Sequence, residues 1–176
     1  MPASSGLKEL CEGMIKELLS AKDPLQTLGT AKADVRLIGS QSSEARVRGF
    51  TILSDEPKKG GGEDKAPNPL DYFMSSIGFC ENVIVARHAA LYGLNLDSLE
   101  TSVRGHWDRK GQFEIDETDP SFKDISIETT ITTNDPIDAV AKVIRIAHRR
   151  CPMYATVTKA AKVTTLLVVN GKDVAL

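Results

Sequence analysis

The feature that most restricts this 176-residue chain is a run from Pro69 to about Tyr92 that is apolar on most of its sides. Leu70, Phe73, Met74, Ile77, Phe79, Val83, Ile84, Val85 and Leu91 recur without leaving a clean polar stripe. Pro69 suits the first helical turn, where its missing N–H is not needed, and Gly93 suits the position just past the helix end. A helix of this composition is stable only when it is covered nearly all round. The remaining elements must supply that cover.

They do so sparingly. Residues 7–19 place Leu7, Leu10, Cys11, Met14, Ile15, Leu18 and Leu19 at intervals of three and four, an amphipathic helix with Ser4 or Ser5 as N-cap. Cys11 lies on its apolar stripe and reads as a small core residue. Residues 30–38 and 44–53 alternate as strands around the turn-rich Gly39–Ser43, which predicts a hairpin. Read as one strand, 44–53 puts Arg46 and Arg48 on a single face. That face is either a solvated one or part of a site. The loop from Ser54 to Asn68 carries Gly60-Gly61-Gly62, expected to be flexible; no Gly-Lys-Ser/Thr follows, so it is not a phosphate-binding loop. Strands are expected at 96–107, 122–133 and 162–169. Between the last two, Ile137, Val140, Ala141, Ile144 and Ala147 stripe a second helix that runs to Cys151, just before Pro152.

Residues 1–29 therefore read as an N-terminal helix and linker, and 30–176 as one α+β domain. About five strands and a single chain are thin cover for a helix apolar all round. A homodimer sharing its core resolves the shortfall.

Composition excludes several functions. Lys and Arg total 22 against 24 for Asp and Glu, and no basic cluster stands out, which argues against nucleic acid as a partner. No segment approaches the roughly 18 consecutive apolar residues of a membrane span. The N-terminus lacks the pattern of a secretory signal. A cytoplasmic protein is expected, with Cys11, Cys80 and Cys151 reduced at rest. His88, His106 and His148 are scattered and no Cys/His pair has zinc-site spacing, so neither a metal nor another bound cofactor is expected.

Cys80 and Cys151 each sit on an apolar helical pattern, and from pattern alone they are either inert core thiols or a redox pair. Their surroundings carry more. Asp55-Glu56-Pro57, the glycine run, and Pro67-Asn68-Pro69-Leu70-Asp71 leading to Gly78-Phe79-Cys80 resemble the osmotically inducible protein C (OsmC) family in order and spacing. His148-Arg149-Arg150-Cys151-Pro152-Met153 is similar to that family's second Cys-Pro site at a helix end.

The resemblance, which spans roughly residues 30–170, implies an intertwined homodimer whose strands wrap the two cysteine-bearing helices. It implies reduction of organic hydroperoxides, the chemistry shared with the organic hydroperoxide resistance branch, in a stress response. Cys80 would attack and Cys151 would resolve the resulting sulfenic acid to a disulfide. A lipoyl-type dithiol would be the external reductant. An attacking thiolate needs a cation when it lies too deep in a helix for dipole help. Arg48 is the first candidate and Arg46 the second, with Asp71 as the carboxylate that orients it. Asp71 stands where the family more often has the longer Glu, and the resistance branch has its acid at the position of Leu70. Phe73, Ile77 and Met153 are the expected lining for an apolar substrate. Glu81, next to Cys80, is expected to point away from the site, since helical neighbours diverge by about 100°. Two other readings use the same fold: a binding protein for a lipid-like molecule, and a thiol redox sensor without turnover.

Overall fold

The computed structural model describes residues 5–113, 115–159, 167–169 and 172–174. It is a mixed α+β fold with antiparallel sheets. In chain order the helices are α1 (Ser5–Ser20), α2 (Pro69–Leu91), α3 (Ile137–Arg150) and α4 (Pro152–Val157). The strands are β1 (Asp34–Leu37), β2 (Ser43–Val47), β3 (Phe50–Ser54), β4 (Ser98–Trp107), β5 (Phe122–Thr132), β6 (Leu167–Val169) and β7 (Lys172–Val174). Three sheets result: β1-β2-β3, β4-β5 and β6-β7. The expected last strand is described only from Leu167 onward, where it forms a hairpin with β7; residues 162–166 and the candidate cap Ser4 lie outside the described residues. No described helix is long and apolar enough to cross a membrane.

α2 forms where the sequence predicts. Asn68 accepts from the Asp71 N–H at 2.9 Å while Asp71 accepts from the Asn68 N–H at 3.1 Å, a reciprocal cap that satisfies two of the donors left open at a helix start. Gly93, at φ 70, ends it. One face packs on β4, where Gly78 lets Val103 approach and Thr101 Oγ1 donates to Asn82 Oδ1 at 2.6 Å. Another packs on α3: Val85 and Ala89 meet Val143 and Ala147, with Leu94 and Leu96 closing the cluster. β4 and β5 pair so that Leu99 faces Ile131, Val103 faces Ile127 and Gly105 faces Ile125 on the side toward α2. At Gly105 a Cβ would lie 2.7 Å from the Phe122 ring, so only glycine fits. α1 lies on α2 with Cys11 buried at the contact.

Two expectations are corrected. Residues 44–53 are not one strand: β2 and β3 pair in register Val47↔Phe50, with Arg48-Gly49 as the turn. Arg48 adopts φ 56, a left-handed conformation unfavourable for a non-glycine residue outside a turn. The apolar positions change parity there, from Ala45 and Val47 to Phe50 and Ile52, and that break in the alternation marks the turn. Arg46 and Arg48 therefore do not share a strand face.

The glycine loop is also not a loose connection. Asp55, 2% exposed, accepts from Ser42 Oγ and from the Glu56, Glu63 and Lys65 backbone N–H groups at 2.9–3.2 Å. Burial opposes its charge, but these donors outweigh it and hold the carboxyl below its ordinary pKa. Gly61 takes φ 90, and at Gly62 a Cβ would come within 1.9 Å of the Glu56 carbonyl oxygen. Tyr72 Oη donates to the Leu53 carbonyl at 2.6 Å, tying β3 to the start of α2.

Candidate active site

The two thiols expected to act together meet. Cys80 lies midway along α2 and is partly exposed; Cys151 is completely buried at the junction of α3 and α4. Pro152 forces that junction: α3 ends at Arg150, and Cys151 serves as its C-cap and as the N-cap of α4. In the second role its sulfur accepts from the Tyr154 N–H at 3.4 Å. The Cys80 and Cys151 side chains adjoin closely enough for Cys80 to act on the Cys151 thiol, and both are free thiols. Burial pushes the Cys151 thiol above its ordinary pKa and the Tyr154 N–H pulls the other way; the adjoining Cys80 adds to the rise.

Glu81, expected to point away from the thiols, is fully buried on the α3 side of α2, where His148 Nε2 lies 3.1 Å from its Oε1. The two atoms are within hydrogen-bond distance, although neither carboxylate oxygen has a partner of full hydrogen-bond geometry among the described residues. Burial pushes the Glu81 carboxyl above the usual carboxylate range, and His148 opposes that rise. The His148 ring lies flat on Tyr154, centroids 4.7 Å apart and planes 5° apart. Because α2 is covered by β4 on one side and α3 on another, both Gly78 and Glu81 face inward. The helical spacing of His148 three residues before Cys151 was the available signal.

The remaining candidates sit elsewhere in the chain. Arg48 is at the β2–β3 tip with its guanidinium 5.5 Å from the Phe50 ring centroid. Arg46 is exposed on β2, 3.8 Å from Glu44, which also pairs with Arg36. Asp71 is spent on capping α2. Phe73 stacks on Phe122 at 5.7 Å, Ile77 is fully buried, and Met153 is half-buried in the first turn of α4. Among the described residues, no three His, Cys, Asp or Glu side chains form a group able to hold a metal ion.

The sequence model of the OsmC-like protein family matches residues 62–166, more than half of the chain and both cysteine segments. The chain belongs to the OsmC-like family. Solved structures agree in fold. An OsmC-like protein from Mycoplasma pneumoniae superposes with a TM-score of 0.66 at 19% identity, covering 75% of this chain and 89% of its own. An OsmC-like hydroperoxide resistance protein from Jannaschia sp. CCS1 gives 0.53 at 20% identity, with 81% and 94% covered. An organic hydroperoxide resistance protein OsmC from Legionella pneumophila gives 0.56 at 19% identity, with 74% and 90% covered. Among curated proteins, no sequence matches this OsmC-like chain.

Proposed function

We propose that this chain is a thiol peroxidase that reduces organic hydroperoxides through Cys80 and Cys151. The observation that carries the reading is the contact between a partly exposed Cys80 and a fully buried Cys151 brought from a different helix. The exposure difference matches a division of labour. The Cys80 thiolate takes the distal oxygen of the peroxide, whose O–O bond breaks and whose remainder leaves as an alcohol. The Cys80 sulfenic acid then loses its hydroxyl as water, with the Cys151 proton, as the S–S bond forms. An external dithiol of the lipoyl class returns both cysteines to thiols.

The working unit in this reading is a homodimer. The chain exposes 13460 Å², against roughly 8400 Å² for a compact monomer of its 19.1 kDa mass. Phe79 and Val83 of α2 are 69% and 48% exposed, and an apolar face of β1–β3 is open as well. A second copy that covers α2 with this sheet would also bring the β2–β3 tip, with Arg48 and Arg46, toward the partner's thiols. In that arrangement an arginine lowers the thiolate energy of Cys80.

Peroxide consumption with a dithiol reductant tests the activity. Cys80→Ser is expected to abolish it. Cys151→Ser is expected to allow one turnover and leave a dimedone-reactive sulfenic acid. Loss of that first turnover in both variants would contradict the assignment. For the cation, Arg48→Met is expected to slow the reaction at pH 7 with partial recovery at pH 9. An unchanged pH profile in both Arg48→Met and Arg46→Met removes the arginines from the site.

A further inference from the structure

A buried carboxylate and a histidine bracket the thiol pair without being required by the chemistry above. Glu81 follows Cys80 on α2; His148 precedes Cys151 by three residues on α3; His148 Nε2 and Glu81 Oε1 are 3.1 Å apart. The His148 ring stacks on Tyr154, and the Tyr154 backbone N–H reaches the Cys151 sulfur at 3.4 Å. One continuous set of contacts thus runs from α2 beside Cys80, across to α3, over to α4 and back to Cys151.

Packing alone does not call for such a pair. Taking a carboxyl out of water is costly, and an apolar side chain of similar volume generally serves stability as well or better. What the pair supplies is direction, with one partner fixed on each of the two helices that must keep their sulfurs in register. Disulfide formation is demanding in this respect, since the bond forms only over a narrow range of Cα separation and torsion.

We propose that Glu81 and His148 are positioning residues for the resolving step: their contact holds the α3–α4 corner against α2 so that Cys151 stays aligned with a Cys80 sulfenic acid. The inference rests on the peroxidase reading and assigns the pair no part in the first attack. When resolution is slow, a second peroxide transfers its oxygen to the sulfenic acid, giving a sulfinic acid and a second alcohol. The pair therefore protects Cys80 by speeding the competing S–S bond.

Three variants test this on the full chain. Glu81→Met keeps the volume and removes the contact, so the fold survives. His148→Phe keeps the stack on Tyr154 and removes the contact from the other side. Glu81→Gln keeps the length and an acceptor oxygen for Nε2–H. In Glu81→Met and His148→Phe, dimedone trapping of the first-turnover sulfenic acid is expected at the parent rate, while the ratio of Cys80 sulfinic acid to Cys80–Cys151 disulfide, read by mass spectrometry, rises about tenfold or more. Glu81→Gln is expected to restore most of the parent ratio. A purely structural pair would change melting temperature and leave the ratio unmoved.

A second arm needs no peroxide. Equilibrated in dithiothreitol redox buffers, the Cys80–Cys151 disulfide is expected to be about tenfold easier to reduce in Glu81→Met than in the parent, because a misaligned pair forms a weaker bond. Should the parent chain consume no peroxide, the peroxidase reading falls and this arm alone decides the positioning role. An unchanged ratio and an unchanged redox equilibrium in folded Glu81→Met overturn the proposal, as does a sulfenic acid step slowed as much as resolution.

Discussion

The β1–β2–β3 and β4–β5 sheets are built on the same alternation and have opposite fates. In β4–β5, Leu99, Val103, Ile125, Ile127 and Ile131 lie on one side, and α2 lies against that side. The far side carries Glu100, Arg104, Glu128 and a 2.7 Å contact between His106 and Asp124. In β1–β2–β3, register places Val35, Leu37, Val47, Phe50 and Ile52 together, opposite a polar face of Arg36, Glu44 and Arg46. Val35, Leu37 and Phe50 are each more than 60% exposed. Alternation of this kind marks one face for burial. One sheet finds its cover within the chain, and the other shows an apolar face large enough to mark an interaction surface.

The same charge placed on each sheet should separate the two cases. Val103→Asp sets a carboxylate between β4 and α2, opposite Gly78, and is expected to cost about 2–4 kcal/mol in urea unfolding. Ile52→Glu changes a residue that is 41% exposed within one chain. If a second copy covers that face, light scattering should fall from twice 19.1 kDa toward a single chain. A variant that keeps both parent mass and parent stability breaks the comparison and leaves the β1–β3 face uncovered.

A smaller effect is expected where the two regions join. Asp55 links the end of β3 to the loop that enters α2, and Asp55→Asn turns an acceptor of four hydrogen bonds into a group that cannot accept them all. Thermal melting is expected to drop by several degrees at neutral pH. Because its folded pKa is depressed, the Asp55 contribution is complete above the unfolded carboxyl pKa and is lost as pH falls through the folded value. The difference between parent and variant should therefore shrink in acid. A constant difference from neutral pH into strong acid would show that the hydrogen bonds do not depend on the charge.

The smallest expected change leaves stability alone and reads the helical corner. Alkylation of Cys151 in the parent should require a higher pH than an ordinary thiol of pKa about 8.5. In Cys80→Ala the midpoint should move partway back, since burial remains while the adjoining thiol is gone. A midpoint in Cys80→Ala equal to the parent's would mean that the two sulfurs do not influence each other.

Both cysteine contexts were legible as a family pattern, and helix α2 was legible from Pro69, Gly93 and its apolar surround. Reading 44–53 as one strand misses the turn at Arg48-Gly49, although the apolar positions change parity across it, from Ala45 and Val47 to Phe50 and Ile52. Residue patterns did not reveal the inward turn of Glu81. A 100° step between neighbours separates Glu81 from Cys80, but on a helix covered from two directions it does not carry a side chain into solvent. Gly60-Gly61-Gly62 looked like slack. The approach of the Glu56 carbonyl to Gly62 makes it one of the tightest places in the chain.

By itself the sequence determined what is local: where helices begin and end, which strand faces are apolar, and that Cys80 and Cys151 sit in helical settings. These follow from spacing over a few residues and from caps such as Asn68 with Asp71. Only the tertiary structure decided which distant groups meet. It brought Cys80 beside Cys151, set His148 against Glu81, and placed His88 of α2 along a cleft with Lys142, Arg145, Arg149 and Arg150, which are already close together in the sequence of α3. The reason is that side-chain period is set by the backbone of each element alone, whereas contact between elements depends on how α2 and α3 pack. That packing rests on small residues: Ala147, already on the apolar stripe of α3, and Ala89, whose importance no local pattern displays.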